Sequence, residues 1–343
     1  SFKSIVHTTC CWLSDPCHYL LLTHYLSLPV ADSVILAHRV LEVISKIKDW
    51  MSSNRLRLNQ EKTQFIWFGT RQQLAKNDVA SLSNVSSSLV EPGPVRNLGV
   101  LLDSELSFKD HITKLCQTCF FQLRRLRTIR HALNRKAILT LAHSFICARI
   151  DFCNGTFFGI NNYLVDRLQA ILNATARLIL KIPKYGHISA AIRDELHWLP
   201  IEQRIKFKTC LLVRGCLTGM APAYLQDLCV PVSRCVGRSN LRSSERGDLI
   251  VPRYKLTRFG QRGFSVAGPQ TWNSLPVSVR SLFKNLEQFR GALKTHFFRQ
   301  QPCHGASADP YHWGAPNKCP ILLLLLLLIT WQVCYRFLFN VIR

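Results

Sequence analysis

Cationic side chains outnumber carboxylates by more than two to one in this sequence. Lysine and arginine total 44, aspartate and glutamate total 20, and the formal net charge is +24. Nucleotidyl transfer requires closely spaced carboxylates that hold divalent cations, and no Asp-Asp pair occurs. A phosphate-binding Walker loop and a Gly-x-Ser-x-Gly elbow are also absent. These absences argue against a self-contained enzyme and against a small-molecule substrate.

Thiol and metal chemistry is poorly supported as well. The 14 cysteines are scattered and no secretory signal precedes them, so reduced intracellular thiols are expected. The C-x-x-C motif Cys116-Gln-Thr-Cys119 lies in a helical stretch and has no second pair at zinc-finger spacing. A buried helix face explains this motif better than a zinc site does. We predict neither a bound metal nor another cofactor.

The excess of positive charge predicts a polyanionic partner. The backbone of RNA or DNA is the usual one, and an anionic membrane surface is the alternative. A helix predicted over 107–130 concentrates this charge, because Lys114 precedes a cluster formed by Arg124, Arg125, Arg127 and Arg130. Cations near a helix C-terminus complement the macrodipole, but the cluster exceeds that need. We predict that it contacts phosphates; a solvated helix face is the other interpretation.

Hydrophobic periodicity and breaker residues predict the order of the elements. Strand patterns occur at 55–59, 63–69 and 95–103, and Gly99 in the last one predicts a bulge or a close backbone approach. Helical patterns occur at 33–51, 107–130, 134–149, 162–182, 189–197, 201–217, 222–229 and 285–299. Between 231 and 276 the chain is rich in Arg, Gly, Ser and Pro, which predicts short strands or an extended arm at 249–251 and 263–267.

The last segment of the chain is apolar. Residues 321–329 are nine consecutive apolar residues, seven of them leucine, and the segment 321–342 has Gln332 and Arg336 inside it. A bilayer span needs about 20 residues. This tail is therefore a candidate transmembrane helix, and translated repeat DNA is the alternative explanation.

Three motifs occur along the chain in a specific order. Trp50 to Gly69 contains Leu56-Arg-Leu-Asn-Gln-Glu-Lys-Thr63, then comes Asn97-Leu-Gly-Val-Leu-Leu-Asp103, and Phe264-Ser-Val-Ala-Gly-Pro-Gln-Thr-Trp-Asn-Ser-Leu-Pro276 follows much later. Together they resemble the reverse transcriptases of non-LTR retrotransposons of the LINE type, in particular jockey-like elements. In that family they represent the end of the palm, the primer grip and the region beyond the thumb. The resemblance covers about residues 25–300.

The resemblance implies roles for a few residues. Lys62 matches the palm lysine that assists the leaving pyrophosphate; a surface turn lysine is the alternative. Leu98, Gly99 and Val100 match the primer grip, where a residue without Cβ lets the backbone approach a sugar; an ordinary strand glycine is the alternative. Trp272 has no chemistry assigned in the family, and we interpret it first as a core anchor and second as a stacking surface.

One departure from the family decides the functional prediction. The family places Tyr-x-Asp-Asp before a stretch similar to Thr23-His-Tyr-Leu-Ser-Leu-Pro29, but here Tyr19-Leu-Leu-Leu22 stands in that place. Leucine cannot hold the Mg²⁺ ions that intact family members would use. The chain begins at Ser1, so we expect the first palm aspartate, the fingers and any endonuclease domain to lie upstream.

The resemblance implies an α+β fold. A partial reverse-transcriptase palm of short antiparallel strands and a helix would be followed by a mainly α-helical thumb and a small mixed C-terminal module. The predicted boundaries are 1–32 for a degenerate or frame-shifted N-terminus, 33–104 for the palm remnant, 105–230 for the thumb, 231–300 for the basic module, 301–319 for a linker and 320–343 for the hydrophobic tail.

The predicted function is that of a truncated reverse transcriptase that lacks its catalytic aspartates and retains only sequence-independent binding of nucleic acid. It would be intracellular, nuclear or cytoplasmic. The alternative is a membrane-anchored basic protein of unknown role, derived from the same element and held by 321–342. A third hypothesis is an active enzyme whose chain extends upstream, against which Leu21 and Leu22 argue.

Overall fold

The structure is a computed structural model that describes residues 2–11, 19–28, 42, 45–55, 57, 63–74, 93–235, 237, 241–254 and 257–300. These residues form two compact units that divide between His111 and Ile112. Lys62 and the tail 321–342 lie outside the described residues, as do most of the strand predicted at 55–59 and most of the first half of the helix predicted at 33–51.

The first unit contains a three-stranded antiparallel sheet. Its strands are β1 (Phe2–Cys11), β2 (Tyr19–Leu28) and β3 (Thr63–Phe68), in the order β2-β1-β3. In the register of the central strand, Ile5 stands opposite Tyr25 on one side and Ile66 on the other. Sequence reasoning predicted β3 correctly but assigned no element to residues 1–32, where the structure has two strands of ten residues.

The strand predicted over 95–103 is a hairpin instead. Strand β4 (Val95–Asn97) pairs antiparallel with β5 (Val100–Leu102). Leu98 and Gly99 form the turn with φ of 44° and 91°. Two consecutive left-handed residues suit the tight turns that join antiparallel strands, and glycine adopts such a φ without steric penalty. The prediction of one continuous strand was therefore wrong, because Gly99 reverses the chain.

A short loop connects this hairpin to the long helix α2 (Lys109–Thr128), which follows the four-residue helix α1 (Arg71–Leu74) in chain order. The Asp103 carboxylate accepts hydrogen bonds from the backbone N–H groups of Ser107 and Phe108, each at 2.8 Å. Phe108 is fully buried with a φ of 60°, a conformation that costs energy for a bulky residue. The charge-assisted bonds of Asp103 stabilise that conformation.

The second unit is helical over residues 112–230. Its helices are α3 (Arg135–Ala142), α4 (Ala148–Asp151), α5 (Asn162–Leu180), α6 (Ser189–Asp194), α7 (Ile201–Leu217) and α8 (Ala223–Gln226). A π-helical turn, His143–Cys147, joins α3 to α4, and 3-10 turns occur at Arg130–Ala132 and Asn154–Phe157. The helical patterns predicted over 134–149, 162–182 and 201–217 are confirmed.

Helix α5 shows why the sequence folds this way. Its apolar residues recur at steps of three and four and are buried, among them Leu164, Leu168, Ile171 and Leu172. The helix ends at Lys181, which takes a left-handed conformation with φ of 57°. A left-handed residue after the last turn is a common helix terminator, and the proline two residues later cannot continue the helix.

The C-terminal part of the second unit is mixed but mainly helical. It contains α9 (Arg242–Glu245), α10 (Thr257–Gly260), α11 (Phe264–Asn273), α12 (Val277–Arg280) and α13 (Leu286–Arg299), with 3-10 turns at Val232–Arg234 and Ser281–Lys284. The only β-contact described here is an isolated bridge between Pro231 and Leu249. The short strand predicted at 263–267 was wrong, since these residues begin α11.

The reason for that error is tertiary packing. A Cβ added at Gly268 would meet Cγ2 of Val213 on α7 at 3.0 Å, so the glycine lets α11 approach α7 closely. Burial of Phe264, Val266 and Ala267 in this contact outweighs their modest preference for strands. The α+β description of the chain is compatible with this mainly helical structure and its antiparallel strands.

None of the helices within the described residues combines the length and the apolar character needed to cross a membrane.

Candidate nucleic-acid interface

The predicted binding residues fall in both units of the described structure. Leu98, Gly99 and Val100 lie in the first unit, and the four arginines of the predicted cluster lie in the second. At the hairpin, Gly99 is exposed at the tip while the Val100 side chain is buried. The turn at Leu98–Gly99 therefore lies at the surface, with Leu98 half-buried, and the assignment of these residues to a primer grip stays a prediction.

Three of the four predicted arginines project from the last turns of α2. Arg124, Arg125 and Arg127 are exposed, and no ion pair holds them within the described part of the chain. Two phenylalanines that sequence reasoning did not single out lie one turn earlier, Phe120 at 42% and Phe121 at 49% exposure. The Arg125 guanidinium stands 5.8 Å from the Phe121 ring centroid, a cation–π contact. Exposed rings beside guanidinium groups are a combination that binds nucleic-acid strands.

Arg130 has a different environment. Its Nε donates to the carbonyl oxygen of Leu178 at 2.9 Å, and its Nη2 donates to that of Ile179 at 3.1 Å. Nη1 donates to the carbonyl oxygen of Leu133 at 3.2 Å. The last carbonyls of a helix have no partner within it, and a cation also complements the negative end of the helix dipole. Arg130 therefore caps the C-terminus of α5, and three of its five N–H donors are used within the protein.

This cap brings two basic segments together that are far apart in sequence. Residues 181–187, Lys-Ile-Pro-Lys-Tyr-Gly-His, leave α5 directly beyond the carbonyls that Arg130 holds. No Asp or Glu occurs between Asp110 and Asp151, or between Asp166 and Asp194. We call this meeting of the two helix ends the junction surface; it comprises Phe120, Phe121, Arg124, Arg125, Arg127, Lys181, Lys184 and Tyr185. Both segments therefore contribute positive charge and no carboxylate of their own to this surface.

The segment 181–187 is a well-defined turn. The Gly186 N–H donates to the Pro183 carbonyl oxygen at 3.1 Å, which closes a β-turn whose central residues are Lys184 and Tyr185. Arg177 on α5 donates to the Gly186 carbonyl oxygen at 3.3 Å. The sequence contains a signal for this turn in the Pro and Gly of Pro183–Gly186, but the hydrogen bonds from Arg130 to the end of α5, just before the turn, depend on the fold.

The C-x-x-C motif lies on the opposite, buried face of α2. Cys116 and Cys119 are both buried, and burial raises the pKa of the Cys119 thiol to about 12. A protonated thiol is a poor metal ligand. Within the described ranges, no group of three or more His, Cys, Asp or Glu side chains is arranged to hold a metal ion.

Trp272 is placed as an anchor of the C-terminal module. Its ring is 2% exposed and packs 5.7 Å from that of Phe289. Its indole N–H donates to the Gly247 carbonyl oxygen at 3.2 Å, and the neighbouring Asn273 amide bonds both the N–H and the carbonyl of Leu249 at 2.8 Å. The motif around Trp272 thus fixes an extended segment, and the ring is not available for stacking on a base.

Comparison with known proteins identifies a distant relative of part of the chain. Over 176 residues the chain is 26% identical to a protein of Drosophila melanogaster named "Probable RNA-directed DNA polymerase from transposon BS". The aligned part covers 49% of this chain and 18% of that protein. No protein-family model matches the chain, and no solved structure matches it either. The chain is a distant homologue of a transposon RNA-directed DNA polymerase over about half of its length, which supports the resemblance of its motifs to LINE-type reverse transcriptases.

Proposed function

We propose that this chain is a reverse-transcriptase remnant that binds the phosphate backbone of RNA or DNA through the junction surface. The observation that carries the proposal is the Arg130 cap, because it joins two basic segments that have no acidic residue. Exposed arginines without carboxylate partners are the groups that gain most from contact with phosphates. Binding of this kind is independent of sequence, since it uses the backbone rather than base edges.

In this proposal residues 33–104 are the palm remnant and residues 105–230 are the helical thumb. The supporting features are an antiparallel sheet and a hairpin that precede a helical region, in the chain order of the resembling motifs. The Leu98–Gly99 turn would present its backbone to a primer strand. Lys62, for which the resemblance implies contact with pyrophosphate, would have no reaction to serve.

The proposal includes the absence of polymerase activity. Leu21 and Leu22 stand in β2 opposite Thr9 and Thr8 of β1, and two alkyl side chains supply no oxygen for a divalent cation. We expect the 343-residue chain, given a primed RNA template, deoxynucleotides and Mg²⁺, to extend no primer. Extension above that of a heat-denatured sample would refute this part of the proposal.

The salt dependence of binding tests the main part. The probe is a fluorescein-labelled single-stranded oligonucleotide, and the affinity is measured by anisotropy between low and physiological salt. A triple variant, Arg124→Gln, Arg125→Gln and Arg127→Gln, should reduce the slope of log affinity against log salt by roughly 2, since each lost phosphate contact on a single strand contributes about 0.7.

A matched variant controls for net charge. Lys206→Gln, Arg246→Gln and Arg290→Gln also remove three positive charges, but each of these side chains is paired with a carboxylate, at 2.7, 3.1 and 3.5 Å respectively. We expect this variant to keep nearly the slope of the parent protein. If both triple variants change the slope equally, binding follows the overall charge and the junction surface has no special role.

A further inference from the structure

The most exposed aromatic ring among the described residues belongs to Tyr185. Its exposure is 88%, against 45% for Tyr163 at the other end of the same helix. A single exposed ring is common on protein surfaces, so its surroundings decide what it can bind. Tyr185 occupies a corner of the β-turn Pro183–Gly186, so its position follows from the backbone and not from side-chain packing.

The surroundings of the ring restrict what it can bind. The Lys184 ammonium stands 5.4 Å from the ring centroid and covers part of the ring surface. The turn is anchored by Arg177 at Gly186, and the end of α5 is anchored by Arg130. The turn therefore presents a flat apolar ring, next to a cation, on a support that is already ordered before any ligand binds.

An unpaired nucleobase has the chemistry that matches this arrangement. It offers a flat π-face for the ring, and its phosphate lies within reach of a neighbouring cation. In a duplex the base faces are stacked on one another and are inaccessible to a ring at the tip of a turn. A protein partner would also bury the ring, but the acid-free basic segments on both sides favour a polyanion.

We propose that Tyr185 is a stacking site for an unpaired base, with Lys184 on the adjoining phosphate, and that it makes the junction surface prefer single-stranded over duplex nucleic acid. This rests on the proposed nucleic-acid function and adds a specificity to it. The charges of α2 attract either form, whereas the ring contributes only when a base is free.

The test compares the full chain and three variants on two probes, a labelled oligo(dT) single strand and a duplex of the same length. Tyr185→Ala should weaken binding of the single strand by about fivefold or more, since about fivefold is the low end of what one stacked base contributes, and should leave duplex binding within about twofold. Tyr185→Phe keeps the ring and should keep the affinity. Tyr163→Ala is the matched control, because it removes an exposed tyrosine about 27 Å away along α5 and should change neither affinity.

Several outcomes overturn the inference. One is unchanged single-strand affinity in Tyr185→Ala; others are an equal loss on both probes, or the same loss in Tyr163→Ala. Binding of anionic lipid vesicles that requires Tyr185, without an effect on oligo(dT), would assign the turn to a membrane surface and also overturn it. The triple arginine variant separates this failure from failure of the proposed function, since it should weaken binding of both probes whether or not Tyr185 stacks.

Discussion

Arginine side chains are exposed at one end of the second unit and buried in contacts within the protein at the other. At the end of α2, Arg124, Arg125 and Arg127 project into solvent without carboxylate partners in the described chain. In the C-terminal module, Arg280 is 6% exposed and ion-paired with Asp248. Between these extremes, the buried Arg214 donates to the carbonyl oxygens of Phe283 at 2.6 Å and Lys284 at 3.1 Å.

This difference shows that a net charge of +24 overstates what a ligand can meet. Part of the positive charge is used inside the protein, where it holds carbonyl groups and carboxylates that burial would otherwise leave unpaired. The charge that remains available is concentrated where helices end without acidic neighbours. The location of a binding surface therefore depends on which arginines already have partners, and composition alone does not reveal this.

The largest expected loss of stability comes from substitution of an arginine whose charge is used inside the protein. Arg280 and Arg246 pair with the same carboxylate, Asp248, but their side chains are 6% and 58% exposed. Arg280→Ala leaves the Asp248 carboxylate, which is only 12% exposed, with the exposed Arg246 as its remaining ionic partner, and should lower the free energy of unfolding by about 3 kcal/mol. Arg246→Ala removes an exposed contact and should cost less than about 1 kcal/mol. Urea-induced unfolding of both variants measures the difference.

Equal destabilisation by the two substitutions would contradict the distinction between structural and available arginines. Nucleic-acid affinity provides a second readout. Near-native affinity of the Arg246→Ala variant is expected, because that side chain belongs to no part of the junction surface.

The buried His111 in the first unit makes the stability of the protein depend on pH. His111 accepts a hydrogen bond at Nδ1 from the Leu101 N–H, at 3.3 Å, which requires the neutral ring. Burial lowers its pKa from 6.5 to about 4. As the pH falls, His111 is protonated near pH 6.5 in the unfolded chain but only near pH 4 in the folded chain. The contribution of His111 to the free energy of unfolding is therefore complete above pH 6.5 and is lost as the pH falls towards 4.

The shift corresponds to about 3 kcal/mol lost between pH 7 and pH 4. It is measured as the free energy of urea unfolding at several pH values, compared with His111→Gln, which cannot titrate. Burial also lowers the pKa of His143, so the variant should flatten the pH dependence without abolishing it. An unchanged pH profile in His111→Gln would show that this histidine is not the group responsible.

Much of the helical region could be predicted from sequence, because local patterns decide it. Helix α5 has an apolar stripe of the right period and a proline soon after its end, and Asn285 caps α13 by accepting from the N–H groups of Glu287 and Gln288. The residues 263–267 were mispredicted, since the close contact of Gly268 with Val213 is a tertiary feature that no local pattern reveals.

The candidate site likewise contains residues that the sequence predicted and residues that it did not. The run of arginines on α2 is visible in sequence, because the residues are neighbours on one helix. Lys181, Lys184 and Tyr185 were missed, because they join that cluster only through hydrogen bonds between Arg130 and residues 48 and 49 positions later. A cluster of like charges in sequence also does not show which member is used internally, and Arg130 is the example.

A smaller loss of stability than that of Arg280→Ala, and the most direct test of which arginines are used internally, is expected from substitution of Arg130. Arg130→Ala removes three hydrogen bonds to carbonyl oxygens, but Arg130 is only half-buried and water can replace part of them, so we expect a loss of about 1–2 kcal/mol in unfolding free energy. Arg127→Ala, one turn earlier, should have no measurable effect on stability because Arg127 is exposed.

Arg130→Lys separates charge from geometry, since one ammonium cannot reproduce the fork that spans two successive carbonyls. If the cap positions Lys181 to Tyr185 beside α2, single-strand affinity should fall in Arg130→Lys although the charge is kept. Retention of full affinity and stability in Arg130→Lys would mean that the two segments meet without this cap and that charge alone accounts for the junction surface.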